Sequence, residues 1–334
     1  MKAARLVQFG DPPVFQIQEV PDPVPGPGEI VIDLKAAALN RRDPWIWLTP
    51  DYCPLPVTLG SDGAGTVSAL GAGVTRFAIG DEVVFDPTLN WGDSEECPSP
   101  EFDILGAPTD GTFAEKVVVS AASVEPKPAR LSWEEAAALN LGGLTAWRAA
   151  VTCGQVGEGK SVLVTGAGSG VSTFVVQIAA ALGARVFVTS STDEKIARAV
   201  SLGAEGGVSY RDPGWPEAVR ELAGGPLDVA IDSYGGPSLA GALKALRRGA
   251  VAVSFGDTSG PDTTFETMDV YWNWRRVLGT SMGSPRDYRR LLAHVEQASW
   301  RPVIDSVFPL EEIDAAAARL DAPDRFGKVV LTID

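Results

Sequence analysis

The sequence predicts an α/β protein made of two differently built parts, a β-rich part and a doubly wound parallel sheet. Over residues 1–125, short apolar runs alternate with Pro- and Gly-rich turns such as VPGPGE and AIGDE, which is typical of short strands joined by tight turns. From Ser161 onward, strand-like and helix-like segments alternate, beginning with SVLVTG and VSTFVVQIAAALG. This alternation predicts a parallel sheet with helices on both faces.

The predicted elements follow one another without a low-complexity linker. A helix begins near Leu131, where Ser132 and Glu135 have the spacing of a capping box. Further strands are predicted at RVFVTS, GGVSY, LDVAIDS and GAVAVSF, with helices between them, and RRVLGTSM adds a final strand. After residue 285 come a helix, the strand VIDSVFPL, a second helix and the closing strand KVVLTI. We expect one domain over residues 1–127 and 284–334 and the other over residues 128–283.

Composition and charge exclude several classes of function. The 334 residues are 45% hydrophobic and 21% charged, as in ordinary globular proteins of about two domains. The net charge of −15 argues against nucleic-acid binding, which depends on clustered Lys and Arg. No run approaches the roughly 18–20 apolar residues of a membrane span, and the N-terminus does not resemble an export signal. With three widely spaced cysteines, we expect a cytoplasmic protein with reduced thiols that acts on a small molecule.

The stretch VTGAGSGVST, residues 164–173, predicts a dinucleotide site. Gly166, Gly168 and Gly170 alternate with small residues between a strand and a helix, so the backbone can approach a pyrophosphate at the helix start. The strict G-x-G-x-x-G spacing is not met, because the third glycine would fall at Val171. The position within a strand–helix series favours the nucleotide site over the alternative, a tight turn without a ligand.

The choice of cofactor depends on the residues about 20 positions past this turn, where NAD enzymes place a carboxylate on the ribose. Here the strand ends in hydroxyl-bearing residues 189–192, and Lys195 follows. Lys195 is suited to pair with a 2′-phosphate, with Tyr210 and Arg211 as further candidates, which favours NADP. Two alternatives stay open: Ser191 simply caps the next helix, or Asp193 reaches the ribose of NAD.

The order of a β-rich region, a nucleotide fold and a return segment resembles the medium-chain dehydrogenase/reductase superfamily. The resemblance runs nearly end to end and includes PGPGEIVIDLKAAALNRRD, LGSDGAGTVSALGAGVTRFAIGDEVV, DGTFAEKVVV, LGGLTAW, SLGAEGGVSYR and FGKVVLTI. It implies a GroES-like catalytic domain, a Rossmann domain, and a cofactor held in the cleft between them. It also implies a homodimer joined through edge strands of the nucleotide domains.

The superfamily divides on its use of a metal. Zinc-dependent alcohol dehydrogenases carry Cys where this chain has Asn40, a His-Glu pair where it has Ser61 and Asp62, and a second Cys near Leu141. A zinc site needs Cys, His or well-placed carboxylates, and the only histidine of the chain, His294, is far away in sequence. The chain is therefore similar to the zinc-free branch, with its quinone oxidoreductases and NADPH-dependent enone reductases, and we expect no metal.

This resemblance implies hydride transfer from NADPH to a quinone or an α,β-unsaturated carbonyl compound. Asn40 and Tyr52 are the candidate hydrogen-bond or proton donors, and Asp43 and Ser61 lie on the same two loops. For Asp43 and Asp62, the alternative is a structural role as buried carboxylates that bind backbone N–H groups or an arginine. A zinc-free alcohol dehydrogenase or carbonyl reductase, or a protein that binds NADPH without catalysis, remain alternative functions.

The fingerprint and the resemblance together assign a larger set of residues to the cofactor. They are Thr145, Gly166, Ala167, Gly168, Ser169, Gly170, Val171, Ser172, Ser190, Ser191, Lys195, Tyr210, Phe255, Gly256 and Lys328. The role of Trp45, Trp47 and Trp91 stays open between lining an apolar substrate pocket and filling structural gaps.

Overall fold

The computed structural model describes all 334 residues, which form two compact units. The first unit comprises Met1–Gly142 and Ser284–Asp334, and the second comprises Gly143–Gly283. The first boundary therefore lies later than the predicted one at residue 127. The reason is that the helix following Ser132 is bound into the first unit: the Asn140 side-chain amide donates to the Gly63 carbonyl over 2.8 Å.

Eighteen strands and nine α-helices follow one another along the chain. Up to residue 160 they are β1 (Lys2–Gln8), β2 (Val14–Glu19), β3 (Glu29–Ala38), α1 (Arg42–Trp47), β4 (Val57–Thr58), β5 (Asp62–Leu70), β6 (Glu82–Phe85), β7 (Thr88–Leu89), β8 (Asp103–Ile104), β9 (Lys116–Ser120), β10 (Val124–Pro126) and α2 (Trp133–Trp147), which continues as a π-helix (Arg148–Cys153). From residue 161 to residue 283 they are β11 (Ser161–Val164), α3 (Gly170–Ala181), β12 (Arg185–Ser190), α4 (Asp193–Ser201), β13 (Gly206–Ser209), α5 (Trp215–Ala223), β14 (Leu227–Asp232), α6 (Gly236–Ala245), β15 (Leu246–Ser254), α7 (Thr267–Val270) and β16 (Arg276–Gly279). The last elements are α8 (Pro285–Gln297), β17 (Ile304–Pro309), a 3₁₀ turn (Leu310–Glu312), α9 (Ile313–Leu320) and β18 (Lys328–Thr332).

The first unit is β-rich, as predicted. Its main sheet runs β10-β6-β5-β3-β18-β17, with β9 also paired to β3. Strand β3 is the longest, and its alternate residues Ile30, Ile32 and Leu34 share one face, which is buried in a core with Phe85 and Phe113. Because β3 pairs with β5 on one side and with β18 on the other, the end of β3 lies beside the start of β5 and the start of the C-terminal strand β18.

The second unit contains the predicted parallel sheet. All six strands run parallel in the order β13-β12-β11-β14-β15-β16, the order of doubly wound dinucleotide-binding sheets. The central strand β11 places Val162, Leu163 and Val164 at zero exposure, which agrees with its continuous apolar sequence. The order reverses between β11 and β14, and ligands of such sheets bind at the carboxyl ends of the strands at this point.

Local sequence signals predict one helix start correctly and leave the tryptophans open. The capping box of α2 is confirmed, because the Glu135 N–H donates to Ser132 Oγ and the Ser132 N–H to the Glu135 carboxylate. Trp47 and Trp91 are buried, with exposures of 3% and 4%, whereas Trp45 is 52% exposed. None of the helices has both the length and the apolar character needed to cross a membrane.

Candidate cofactor and substrate sites

The loop between β11 and α3, residues 165–169, forms a turn that we call the glycine turn. Gly166 and Gly168 have φ values of +65° and +120°, which residues other than glycine rarely adopt. Ser169 is the N-cap of α3, and its hydroxyl accepts the Ser172 N–H at 3.1 Å. The N–H groups of Gly168, Gly170 and Val171 have no partner in the protein. Free amides at a helix start suit an anionic pyrophosphate, so the residues present fit a dinucleotide.

Hydroxyl groups hold the glycine turn against the neighbouring strand. Thr165 donates through its hydroxyl to Asp232 at 2.8 Å and accepts the Ser233 N–H at 3.1 Å, while the Ser172 hydroxyl donates to the Thr165 carbonyl. Burial raises the pKa of Asp232, and hydrogen bonds from Ser238 and its other donors work against that rise. Thr165 and Asp232 were not among the predicted site residues, although polar residues ending two buried strands were a readable signal.

An aromatic cavity of about 270 Å³ lies beside the glycine turn. Its lining includes Gly166, Tyr210, Trp215 and Tyr234. A Cβ atom added to Gly166 would lie 2.0 Å from the Tyr234 ring, so this ring rests directly on the turn. The Tyr210 and Tyr234 ring centroids are 6.2 Å apart. Such a chamber of flat side chains fits an aromatic base.

The helix α4 after β12 begins one residue later than one of the predicted alternatives. Thr192, rather than Ser191, caps α4 by accepting the Lys195 N–H, so the alternative of a Ser191 cap is wrong. Ser190 is fully buried, and its hydroxyl donates to the Ala167 carbonyl at 3.0 Å, which ties the end of β12 to the glycine turn. Ser191 lies between these two residues and is half-buried.

Three of the other residues assigned to the cofactor also lie in the second unit. The Phe255 N–H donates to the Asp232 carbonyl at 3.1 Å. A Cβ atom on Gly256 would lie 2.4 Å from the Ser233 carbonyl oxygen, so only glycine permits this close approach. Thr145 is buried in α2. Phe255 and Gly256 thus follow the carboxyl end of β15, and the glycine turn follows the carboxyl end of β11 in the same parallel sheet.

In the first unit, Asn40, Asp62 and Lys328 form a buried group that we call the Lys328 cluster. Ala38, just before Asn40, pairs with Asp62 at the start of β5, and β18 begins with Lys328 on the other side of β3. The Lys328 ammonium lies 2.5 Å from Asn40 Oδ1 and 2.9 Å from Asp62 Oδ2. The Asn40 amide nitrogen donates to the same Asp62 oxygen at 2.9 Å. Their relative exposures are 6%, 0% and 3% in chain order.

The hydrogen bonds of the cluster fix the Asn40 side chain in one orientation. Lys328 can only donate, so the Asn40 atom facing it is the carbonyl oxygen, and the amide nitrogen faces Asp62. One of the two N–H bonds of that nitrogen is therefore used within the protein. Asn40 keeps a single side-chain N–H for any ligand.

The positions that hold zinc in the metal-dependent branch meet around Asp62. Asp62 accepts hydrogen bonds from Lys328 and Asn40 through Oδ2, and it accepts the Leu141 N–H at 2.7 Å through Oδ1. The Leu141 side chain has no atom that can bind a metal ion. The Ser61 hydroxyl donates a hydrogen bond to the Leu105 carbonyl at 2.7 Å. No group of three or more His, Cys, Asp or Glu side chains is placed to share a metal ion. With an ammonium between Asn40 and Asp62, this donor set does not fit zinc.

Asp43 supports the cluster from the first turn of α1. One carboxylate oxygen accepts the Asn40 backbone N–H at 2.7 Å, and the other, Oδ1, is buried without a partner. Complete burial raises the pKa of Asp43 to about 6, against the opposing effect of the Asn40 hydrogen bond and the nearby cations Arg42 and Lys328. The alternative of a buried carboxylate bound to a backbone N–H thus describes its contacts.

Tyr52 and Ser61, the other two candidate catalytic residues, do not join the Lys328 cluster through any hydrogen bond. The Tyr52 ring packs edge-on against exposed Trp45, with centroids 4.9 Å apart. Ser61 is committed to the Leu105 carbonyl. Conversely, Lys328 was predicted as a cofactor residue, and its contact with Asp62 was not foreseen.

Comparison with known proteins places this architecture among dehydrogenases. Residues 26–129 match the family model of the alcohol dehydrogenase GroES-like domain, and residues 170–297 match that of the zinc-binding dehydrogenases. The chain is 34% identical over 353 residues to "Zinc-type alcohol dehydrogenase-like protein YogA" of Leptosphaeria maculans, covering 96% of this chain and 94% of that protein.

Two further proteins indicate the range of reactions among the relatives. "Acryloyl-coenzyme A reductase" of Metallosphaera sedula is 31% identical over 349 residues, covering 99% of this chain and all of that protein. A solved structure described as an NAD-dependent alcohol dehydrogenase superposes with a TM-score of 0.94 at 40% identity, with both chains fully covered.

Proposed function

The chain belongs to the medium-chain dehydrogenase/reductase superfamily and is an oxidoreductase of that group, and on this premise we propose that it reduces a quinone or an α,β-unsaturated carbonyl compound with NADPH and without a metal ion. The observation that carries the proposal is the Lys328 cluster, in which an ammonium lies between Asn40 and Asp62. Because this donor set does not fit zinc, the cluster offers a hydrogen-bonding ammonium but no Lewis acid that would bind an alkoxide directly. A conjugated acceptor needs less assistance.

The residues around the glycine turn serve to bind and orient the nicotinamide cofactor. The free N–H groups of Gly168, Gly170 and Val171 are suited to its pyrophosphate, and the aromatic cavity beside Tyr234 to its base. A bound reduced nicotinamide would supply a hydride to the conjugated acceptor, which places negative charge on a carbonyl oxygen, and one proton from water would then give the saturated carbonyl compound from an enone or the hydroquinone from a quinone. Asn40 has one side-chain N–H left to meet the negative oxygen, and Tyr52 is a second candidate donor.

Relatives with known substrates support the conjugated acceptor. The acryloyl group, named as the substrate of the Metallosphaera sedula enzyme, is an α,β-unsaturated carbonyl. Crotonyl-CoA reductase of Streptomyces avermitilis, 26% identical over 360 residues, is named for a substrate of the same chemical class. A thioester of this class and a simple enone accept hydride at the same β-carbon, so both belong in a substrate survey.

NADPH is preferred over NADH because no carboxylate follows β12 directly. Ser190, Ser191 and Thr192 occupy that position, and Lys195 lies in the first turn of α4. The acidic Asp193 and Glu194 of the same turn, and the NAD-dependence stated for the 40% identical dehydrogenase, are the reasons for testing both cofactors. Lys195→Ala should weaken NADPH binding far more than NADH binding, whereas equal losses would remove the case for NADPH.

The deciding experiment measures oxidation of NADPH and NADH with a panel of quinones, enones and acryloyl- and crotonyl-CoA. We expect turnover of at least one conjugated acceptor by protein purified without a chelator and containing less than stoichiometric zinc. Turnover unchanged after dialysis against a chelator is the matching control. Stoichiometric zinc, with activity lost on chelation, would contradict the metal-independent reaction.

A second candidate is the interconversion of an alcohol and a carbonyl compound, which the alcohol dehydrogenase names among the relatives favour. The same panel separates it, because alcohols with NADP⁺ or NAD⁺ would then be oxidised while enones are not reduced at the C=C bond. Binding of NADPH without turnover of any acceptor or alcohol would instead identify a non-catalytic nucleotide-binding protein.

A homodimer through the second unit is part of the proposal. Strand β16 pairs only with β15, so its other edge is open, and Tyr271, Trp272 and Trp274 beside it are 63%, 60% and 76% exposed. An open edge next to exposed aromatic side chains suits a second copy of the chain. Light scattering after size exclusion should give twice the mass of 35.1 kDa, and a single-chain mass would contradict the dimer.

A further inference from the structure

We propose that Lys328 is a catalytic residue whose ammonium takes the place of the metal ion and donates a hydrogen bond to the carbonyl oxygen of the acceptor. The inference rests on the proposed function for the nature of that acceptor. It changes the assignment of Lys328 from the cofactor to the substrate. It also gives the buried charge of the Lys328 cluster a role in the reaction.

The place of the ammonium is the first argument. Lys328 bonds to Asn40 and Asp62, and Asp62 also holds the backbone of Leu141. By the family resemblance, Asn40, Asp62 and Leu141 occupy positions of zinc ligands in the metal-dependent branch, and Lys328 bonds to the first two of them. A zinc ion bound at those positions polarises the substrate oxygen, and a resident cation beside the same positions is suited to the same task.

The unused donor of the ammonium is the second argument. A lysine ammonium has three N–H bonds, and the structure engages two of them, with Asn40 Oδ1 and Asp62 Oδ2. The side chain is only 3% exposed, so the third N–H cannot rely on bulk water. Buried donors are nearly always satisfied, and a ligand oxygen would supply the missing acceptor.

The pairing of charges is the third argument, because it explains how a cation is kept here in the absence of substrate. The Asp62 carboxylate is completely buried and lies 2.9 Å from the ammonium, so neither charge is left alone in the protein interior. Asn40 adds a neutral acceptor to the same ammonium. During the reaction the ammonium keeps its proton and stabilises the negative oxygen by a charged hydrogen bond, while water supplies the proton of the product.

The test compares Lys328→Met and Lys328→Arg with the wild type, using affinity for NADPH and steady-state kinetics with the best acceptor of the panel. We expect Lys328→Met to lower kcat by about 100-fold, as for removal of one donor to a developing oxyanion. NADPH affinity should change little, and Lys328→Arg should restore part of kcat. Loss of NADPH affinity with kcat unchanged would overturn the proposal, and so would variants that behave as the wild type.

Two further variants separate catalysis from folding. Lys328→Met combined with Asp62→Asn removes both buried charges at once, and we expect it to fold and to keep the kcat defect. Lys116→Met is the matched control, because Lys116 also forms an ion pair, with Asp33, but is 25% exposed and lies outside the cluster. A similar kcat loss in the Lys116 variant would mean that the effect is not specific to this site.

A spectroscopic measurement makes the proposal independent of turnover. In wild-type protein labelled with ¹⁵N-lysine, the Lys328 ammonium signal is assigned by its absence from the Lys328→Arg variant. Addition of cyclohexenone in the presence of NADP⁺, which cannot donate hydride, should shift this signal. An unshifted signal would overturn the Lys328 proposal even in an active enzyme, whereas a shift in an inactive protein would leave the Lys328 contact standing and remove the proposed reaction.

Discussion

The glycine turn of the second unit presents backbone groups, whereas the Lys328 cluster of the first unit presents side-chain groups. The glycine turn offers backbone N–H groups, and Gly166 and Gly168 are there because of the conformation they allow. The Lys328 cluster offers side-chain charges and an amide, all of them buried. We therefore expect the glycine turn to be sensitive mainly to changes of shape and the Lys328 cluster mainly to changes of charge. Variants that alter shape or charge separately test this contrast.

The largest effect is expected from removing one charge of the cluster. Lys328→Met leaves Asp62 as an unpaired carboxylate at zero exposure, which should lower the free energy of unfolding by about 3–5 kcal/mol. Adding Asp62→Asn should recover most of this loss, because no buried charge then remains. Chemical denaturation of both variants checks it, and an equal loss in the single and double variants would show that shape rather than charge governs the cluster.

A change of shape should be the damaging one at the glycine turn. Gly166→Ala combines a left-handed backbone, about 1–2 kcal/mol, with a Cβ that would lie 2.0 Å from the Tyr234 ring, about 1–3 kcal/mol more. Gly224→Ala is the matched control, since its φ of +77° is similar and nothing lies within 4 Å of the added Cβ. Thermal unfolding and NADPH affinity should both suffer in the first variant, and only slight destabilisation is expected in the second. Equal effects would mean that the contact with Tyr234 does not matter.

The next prediction concerns Asp43, the acid beneath the cluster. Its pKa rises from 3.8 to about 6 on folding, so the folded protein binds more protons than the unfolded chain between these values. The contribution of Asp43 to stability is therefore complete below about pH 4 and is lost as the pH rises through about 6, by about 3 kcal/mol in total. Asp43→Asn should remove this part of the pH dependence.

The measurement is the free energy of unfolding of wild type and Asp43→Asn between pH 4 and pH 7. The stability of the variant relative to the wild type should improve as the pH rises. Asp86→Asn is a useful companion, because burial raises the pKa of Asp86 to about 6 as well. A difference between wild type and Asp43→Asn that stays constant with pH would contradict the burial of an ionisable Asp43.

The smallest effect is expected from removing the Tyr288 hydroxyl group. The buried Tyr288 hydroxyl donates to Asn140 Oδ1 at 2.7 Å, and Asn140 in turn donates to the Gly63 carbonyl. Tyr288→Phe should cost about 1–2 kcal/mol of unfolding free energy, because it leaves one buried acceptor unsatisfied. Unchanged kcat and NADPH affinity are expected, which would confine the function to the cluster and the turn.

The contrast between the two regions also explains what the sequence could predict. The strand–helix rhythm and the alternating glycines lie within one continuous segment, so the parallel sheet and the glycine turn were readable from local patterns. The helical cap was misplaced by one residue, at Ser191 instead of Thr192, because both hydroxyl-bearing residues precede an acidic first turn. Such neighbours are hard to separate without the backbone angles.

The Lys328 cluster was not readable in the same way. Asn40 and Lys328 are 288 residues apart, and only the pairing of β3 with β18 brings them together. The sequence showed that the zinc ligands are replaced, but not that a lysine from the far end of the chain bonds to two of the replacing positions. The raised pKa of Asp43 was equally hidden, since it depends on complete burial.

The central place of β18 in the first sheet has a consequence for synthesis of the protein. On the ribosome, the second unit is continuous and is complete once Gly283 has emerged, whereas the first unit still lacks the strand that lies between β3 and β17. Until Lys328 is added, Asp62 has no ammonium to neutralise it, so the nascent first unit cannot close around that carboxylate without a penalty. The second unit is thus complete first, and the first unit, which contains the Lys328 cluster, is finished last.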